Sequence, residues 1–439
     1  MKTKFLSTSV CILLVAAGSI YSAEQMDLDK TVDIALKNSQ SIRIAEQKII
    51  EARGIRQQAF SGYLPRLSLM TYGAQRNEID PLLKKTMGDM KDFTAMFADK
   101  SFDFQLGLQQ PIFTWGKILN ANRQANLGYW MAKEEYRKTK GELILNVKKS
   151  YYGALLSRQM VSIAEEMVNV TDAHLRVTQS FYEQGKVSKY DVSKVKVQLT
   201  NAKTNLLKAR NASFLALDAL SNTIGKEIAA DTELATEMSY EPVSTDYEAF
   251  VKEALLNRPE MVEIETQERM GRTAISLARA ESKPSLVFSG YVDWIQGVDE
   301  FENLSFDIND WYRTWNARIV MNFPLFGGFS TWGKIRSAKA QLKQAILSRE
   351  QLTNGIRLEI KQACFNMNQS AETIVAQKEN IQTAKENLEI AGQRYKQGFL
   401  SEIEVRDAQL ALSQAEIHYY QALYDYNVGI AALDKALGR

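Results

Sequence analysis

The chain has 439 residues, 45% of them apolar and 24% charged, with 54 Lys and Arg against 52 Asp and Glu. That apolar share fills a core and excludes a disordered chain, and the near-even charge balance speaks against a general nucleic-acid binder. Beyond the N-terminus no apolar run approaches the roughly 20 residues that cross a bilayer as a helix, so a helical membrane protein is excluded, and on these numbers alone the chain reads as one to three ordinary domains. The 7 Pro predict long uninterrupted helices, and the 2 His leave little material for histidine catalysis or a histidine metal site.

In chain order, Lys2 and Lys4, the apolar stretch from Val10 to Ile20 and the small residues Ser22 and Ala23 follow the pattern of a secretory signal peptide, expected over 1–22. Cys11 follows Val10 inside the apolar region and is not read as a lipidated cysteine. Without the leader, acids and bases are equal in number and Cys364 is the one remaining cysteine, so no intrachain disulfide is expected.

The rest is a duplication, with copies expected over 23–239 and 240–439. Ala35-Leu36-Lys37-Asn38 matches Ala254-Leu255-Leu256-Asn257, and Pro65 matches Pro284. Pro111-Ile112-Phe113 matches Pro324-Leu325-Phe326, Thr114-Trp115-Gly116-Lys117 recurs as Thr331-Trp332-Gly333-Lys334, and Tyr182-Glu183-Gln184-Gly185 recurs as Tyr395-Lys396-Gln397-Gly398. Each copy predicts a first helix (32–60 and 247–281), two strands (about 63–75 and 101–113, then 284–294 and 313–326), a very long helix (117–184 and 334–397) ended by Gly185 or Gly398, and a last helix (188–224 and 401–437). The long helices carry an unbroken heptad seam, from Val147 to Tyr182 and from Ile360 to Tyr395. About 66 residues make a helix on the order of 100 Å. The stripe reads as helix packing, with no ligand implied.

The strands alternate with period two. Phe102, Phe104, Leu106 and Leu108 interleave with Asp103, Gln105, Gly107 and Gln109, and Trp315, Ala317, Ile319 and Met321 with Asn316, Arg318, Val320 and Asn322. Trp115, Trp294, Trp311, Trp315 and Trp332 lie in or beside these segments, as in the aromatic girdles of an outer-membrane barrel. Soluble β-hairpins packed on the helices are the alternative. Strands facing lipid must close on themselves, and four cannot. Three copies pooling strands give a twelve-stranded barrel with outer loops at 76–100 and 295–312. The fold class is thus mainly α with a small β part: tandem repeats of long coiled-coil helices plus two transmembrane strands each.

The duplicated Tyr-x-x-Gly pairs (Tyr182/Gly185 and Tyr395/Gly398), the segments Ser188 to Val192 and Ser401 to Val405 after them, and the repeated Pro-[Ile/Leu]-Phe blocks resemble the TolC family of outer-membrane efflux proteins over essentially the whole mature chain. The resemblance implies a homotrimer with a β-barrel in outer-membrane lipid, continuous with a periplasmic α-helical barrel. It also implies a periplasmic adaptor and an inner-membrane pump as partners. The tips at Tyr182, Gly185, Ser188, Tyr395, Gly398 and Ser401 would dock the adaptor. Glu404 and Asp407 would form an acidic ring at the mouth, with Asp191 in the gate region. The basic latch residue of some members aligns with Leu400, a departure from the pattern. Glu404 and Asp407 are three apart and share a helix face, and a threefold axis would make them rings of like charge that select cations. Ser401-x-x-Glu404 also reads as a capping box, with Ser188-x-x-Asp191 a close relative.

The resemblance implies a passive outer-membrane exit duct of a tripartite efflux or type I secretion system, with energy from a pump elsewhere, since the sequence shows no phosphate-binding glycine motif. The alternative is a non-conducting coiled-coil trimer of the envelope. No cofactor, metal site or catalytic constellation is expected: His174 and His418 lie in helices away from any nucleophile, and Cys364 reads as a small packed side chain.

Overall fold

The computed structural model describes residues 26–75, 98, 100–229, 232–298 and 300–439. The expected leader and most of the first outer loop lie outside the described residues. In chain order the elements are α1 (Leu28–Asn38), α2 (Gln40–Phe60), β1 (Arg66–Gln75), β2 (Lys100–Phe113), α3 (Lys117–Glu183), α4 (Lys189–Ile224), α5 (Tyr247–Asn257), α6 (Pro259–Ala280), β3 (Ser285–Val298), β4 (Tyr312–Asn322), α7 (Ser330–Lys396) and α8 (Glu402–Leu437). The long helices α3 and α7 have 67 residues each, and α4 and α8 have 36 each.

Several boundaries differ from the sequence expectation, among them the end of β4 at Asn322, four residues before the expected 326. Each first helix is two helices, broken at Ser39 and at Arg258, whose backbones are extended (ψ 130° at both). At Arg258 the cause is Pro259, which disfavours the α conformation in the residue before it and sits well at the start of the next helix. The break buries Arg258, which donates to Glu359 at 2.6 Å and to Glu260 at 3.2 Å. Next, α7 starts four residues before the expected Lys334. In the first copy Trp115 and Gly116 both take positive φ (48° and 80°) and close a turn from Thr114 O to Lys117 N at 2.9 Å. In the second copy Gly328 and Phe329 take that conformation (60° and 64°), closing Gly327 O to Ser330 N at 3.2 Å. The repeated Thr-Trp-Gly-Lys therefore precedes the helix in one copy and forms its first turn in the other. Finally, β3 runs on to Val298, into the segment expected as the second outer loop; Phe301–Asn303 and Ile308–Asp310 are short 3₁₀ turns.

The chain falls into two compact units that cut across the duplication. Among the described residues, one holds 26–39, 144–229, 232–242 and 367–428. Its core is the seam: Leu175 packs with Val195 and Leu199, while Ala391, Tyr395 and Val405 pack together with Val177 and Phe181 of α3 against them. Buried Tyr151 ties the start of the described chain to this core, donating to Met26 O at 2.9 Å and accepting from Thr236 N at 3.1 Å.

The other unit holds the described residues of 40–143, 243–366 and 429–439, and contains one antiparallel sheet in the order β1-β2-β3-β4. The register aligns Leu67 with Leu108, Leu69 with Leu106, Leu106 with Val292 and Val292 with Trp315. These side chains share one face, and Leu67, Leu69, Trp315, Ile319 and Met321 stand exposed on it. The other face is polar: Gln105 donates to Asp293 at 2.6 Å, Gln109 to the Tyr291 hydroxyl at 3.1 Å, and Arg318 lies over the Tyr291 ring at 5.4 Å. Gly107 makes room for this face, because a Cβ there would meet Tyr291 at 3.2 Å and Ser68 Oγ at 3.1 Å. No described helix is long and apolar enough to cross a membrane.

Candidate functional site

The sequence expectation concentrates on two helix tips, and both fold by local rules. The last turn of α3 closes with Lys186 N bonded to Phe181 O at 2.8 Å and Gly185 N to Tyr182 O at 2.9 Å, the paired bonds of a Schellman motif. Gly185 takes φ 71° there. The last turn of α7 repeats this, with Phe399 N to Arg394 O at 3.0 Å, Gly398 N to Tyr395 O at 2.9 Å and Gly398 at φ 81°. A side chain at either glycine would meet nothing within 4 Å, so the backbone angle alone sets the requirement.

Three residues on, the next helix is capped. Ser188 N–H and its hydroxyl donate to Asp191 Oδ2 at 2.9 and 2.7 Å, and Asp191 N donates back to Ser188 Oγ at 3.3 Å, completing a capping box. In the second copy Ser401 N–H and hydroxyl donate to Glu404 Oε2 at 2.8 and 2.9 Å. The Ser188 hydroxyl and backbone bonds hold Asp191 below the usual carboxylate range. The Ser401 backbone and hydroxyl bonds do the same for Glu404, against an upward push from neighbouring Asp407. Both acids are therefore charged anchors of their own helices. Asp407 is exposed, and Arg406 donates to its Oδ1 at 3.0 Å, a partner the sequence reading left out. The structure brings Glu404 and Asp407 within electrostatic reach of each other; no hydrogen bond or ion pair joins Asp191 to either among the described residues.

The two tyrosines of the repeated motif differ. Tyr182 is 46% exposed, whereas Tyr395 is 6% exposed. Tyr395 stacks against His174 at 4.8 Å and Phe181 at 5.7 Å, and shares a 3.2 Å hydrogen bond with Thr178. It belongs to a polar layer just inside the tips that sequence reasoning missed. Glu402, 8% exposed, accepts from Lys194 at 2.7 Å and Gln198 at 2.8 Å, tying α8 to α4. Gln409 of α8 donates to Thr171 of α3 at 3.3 Å. His174 Nε2 is buried with no hydrogen-bond partner among the described residues. The only sequence signal was a set of polar residues at or beside apolar seam positions, which a heptad tolerates when they pair.

The sequence matches the outer membrane efflux protein family over residues 31–226 and 250–439. It is similar to AprF, the alkaline protease secretion protein of Pseudomonas aeruginosa, at 25% identity over 409 residues, covering 91% of this chain and 82% of AprF. It is also similar to the outer membrane protein TolC of Vibrio cholerae, at 22% identity over 326 residues, covering 74% of this chain and 73% of TolC. Among solved structures, the CmeC outer membrane channel of Campylobacter jejuni shares the fold with a TM-score of 0.81 at 19% identity, covering 94% of this chain and 85% of that one. With the duplicated tips, the two-faced sheet and a match over most of its length, the chain belongs to the outer membrane efflux protein family.

Proposed function

We propose that this outer-membrane efflux protein works as a homotrimeric exit duct, passing cargo from a periplasmic adaptor and an inner-membrane pump to the exterior. One observation carries the reading: a sheet with an apolar face and a polar face whose edge strands β1 and β4 have no partner among the described residues. Unpaired backbone groups in lipid cost several kcal/mol each, so these edges need further copies of the same sheet. Three copies pool their strands into the twelve of a closed barrel with apolar side chains outward and a polar lumen. The secretion role of the AprF relative and the efflux role of the family both suit such a duct, which in this reading draws its energy from the pump.

In this reading the tips face the adaptor. Tyr182, Gly185, Ser188, Gly398 and Ser401 present the docking surface, while Tyr395 supports it from beneath. Glu404 and Asp407 ring the mouth, and Asp191 lies in the gate region. The leader 1–22 is removed on export.

The test is conductance of the purified full-length protein in planar bilayers. Discrete channels are expected, with divalent-cation block that Asp407→Asn relieves. Unchanged block in that variant removes the acidic ring, and no conductance in any variant favours a purely structural trimer.

A further inference from the structure

The proposed barrel turns the polar face of each sheet into the lining of a lumen, and the selectivity inferred for that lining rests on the barrel itself. On this face, the strand register aligns Arg66, Gln109, Ser289 and Arg318 in one row, a residue from each strand. The row lies toward the end of the sheet from which the helices leave, since Arg66 opens β1 after α2 and the short 3₁₀ turn Ser61–Tyr63. Both arginines are exposed, and neither has an ion-pair partner among the described residues. Arg318 is steadied by the Tyr291 ring at 5.4 Å, and Gln109 holds the Tyr291 hydroxyl at 3.1 Å. The rows on either side carry no carboxylate. The acids of this face lie farther out and are engaged: Asp293 accepts from Gln105 at 2.6 Å, and buried Asp103 accepts from Ser101 at 3.3 Å. Charge is therefore polarised along the strands, with two guanidinium groups at the helix end that no carboxylate neutralises among the described residues, Arg318 bonding only the neutral Tyr291 hydroxyl.

The arginines also sit on the two edge strands. Closing the barrel lays β1 of one copy beside β4 of the next, so the positive charge of Arg66 and Arg318 gathers at each seam between copies. A guanidinium stays charged at any physiological pH and binds carboxylate or phosphate in a two-pronged way that lysine cannot. Like charges along a low-dielectric wall concentrate ions of opposite sign in the space they enclose. We propose that Arg66 and Arg318 form an anion-selecting collar in the barrel lumen, favouring cargo that carries carboxylate or phosphate groups.

The measurement is the reversal potential of single channels in a KCl gradient. It uses the full-length protein with the mouth acids neutralised (Glu404→Gln with Asp407→Asn), so that the mouth does not set selectivity. This background should reverse on the anion-selective side. Adding Arg66→Gln and Arg318→Gln should move the reversal potential to zero or beyond, and the Arg→Lys pair should retain anion preference because the charge remains. A conducting trimer whose reversal potential the Gln pair leaves unmoved overturns the collar while leaving the duct standing. Absence of conductance in every variant fails the duct and takes the collar with it.

Discussion

Glu402 shows how much a single side chain near the tips carries. Its carboxylate is almost fully buried and keeps its charge through Lys194 and Gln198. Removing one partner of such a pair strands a buried charge, which costs more than the pair itself is worth. Lys194→Met should destabilise the protein by about 2 kcal/mol, below the range for a fully enclosed pair because Lys194 keeps part of its side chain in water; replacing Glu402 as well should recover most of the loss. His174, beside this pair, adds a pH dependence. Burial holds its imidazole below the ordinary 6.5, with Glu402 pulling the other way. Its stabilising contribution is therefore complete above pH 6.5 and is lost as pH falls toward the depressed value in the folded state. Burial pushes Glu402 up, but Lys194 and Gln198 hold it below 4.5, so its contribution persists until pH falls past that value. His174→Gln should flatten the thermal midpoint just below pH 6.5; an unchanged slope there would assign the dependence to another group. The capping acids Asp191 and Glu404 were legible in the sequence because Ser-x-x-Asp and Ser-x-x-Glu are three-residue rules. Glu402 and Lys194 were not, because 208 positions separate them and nothing local records that they meet.

At the scale of elements, periodicity served well wherever one face of a helix or strand had a distinct environment. The heptad seam placed α3, α4, α7 and α8 within a few residues, and the period-two segments gave all four strands. Periodicity fails at breaks, where a single backbone angle decides. Pro259 announces the break at Arg258, but the matching break at Ser39 has no proline, and both halves of each first helix keep helical patterns. The start of α7 was missed because identical Thr-Trp-Gly-Lys motifs sit differently relative to the positive-φ turn. The two-faced sheet makes a sharper statement. Leu69 and Ser68 are neighbours on β1 but point to opposite faces. Leu69→Arg should cost about 2–4 kcal/mol of membrane-inserted stability, and Ser68→Arg much less. Urea unfolding of protein inserted in phospholipid vesicles reads the difference, and equal losses would contradict the assignment of faces.

At the scale of the whole molecule, the duplication was plain in the sequence, and so was the argument that four strands cannot close alone. The compact units were not legible, because each draws matching segments from both copies and owes its cohesion to contacts far apart in the chain. The average composition also hid the architecture: in the proposed barrel lipid meets only one face of four strands, so 45% apolar residues describe a membrane channel as well as they describe a soluble domain. The central claim, that β1 of one copy pairs with β4 of the next in a ring of three, is tested most directly by disulfide cross-linking. Cysteines are scanned in pairs along 66–74 and 312–322, with Cys364→Ser in the background, and oxidised in outer membranes. The account predicts that productive pairs give covalent dimers and a closed trimer, with nothing larger. Monomers alone across the scan, or a ladder that continues past three, would contradict it.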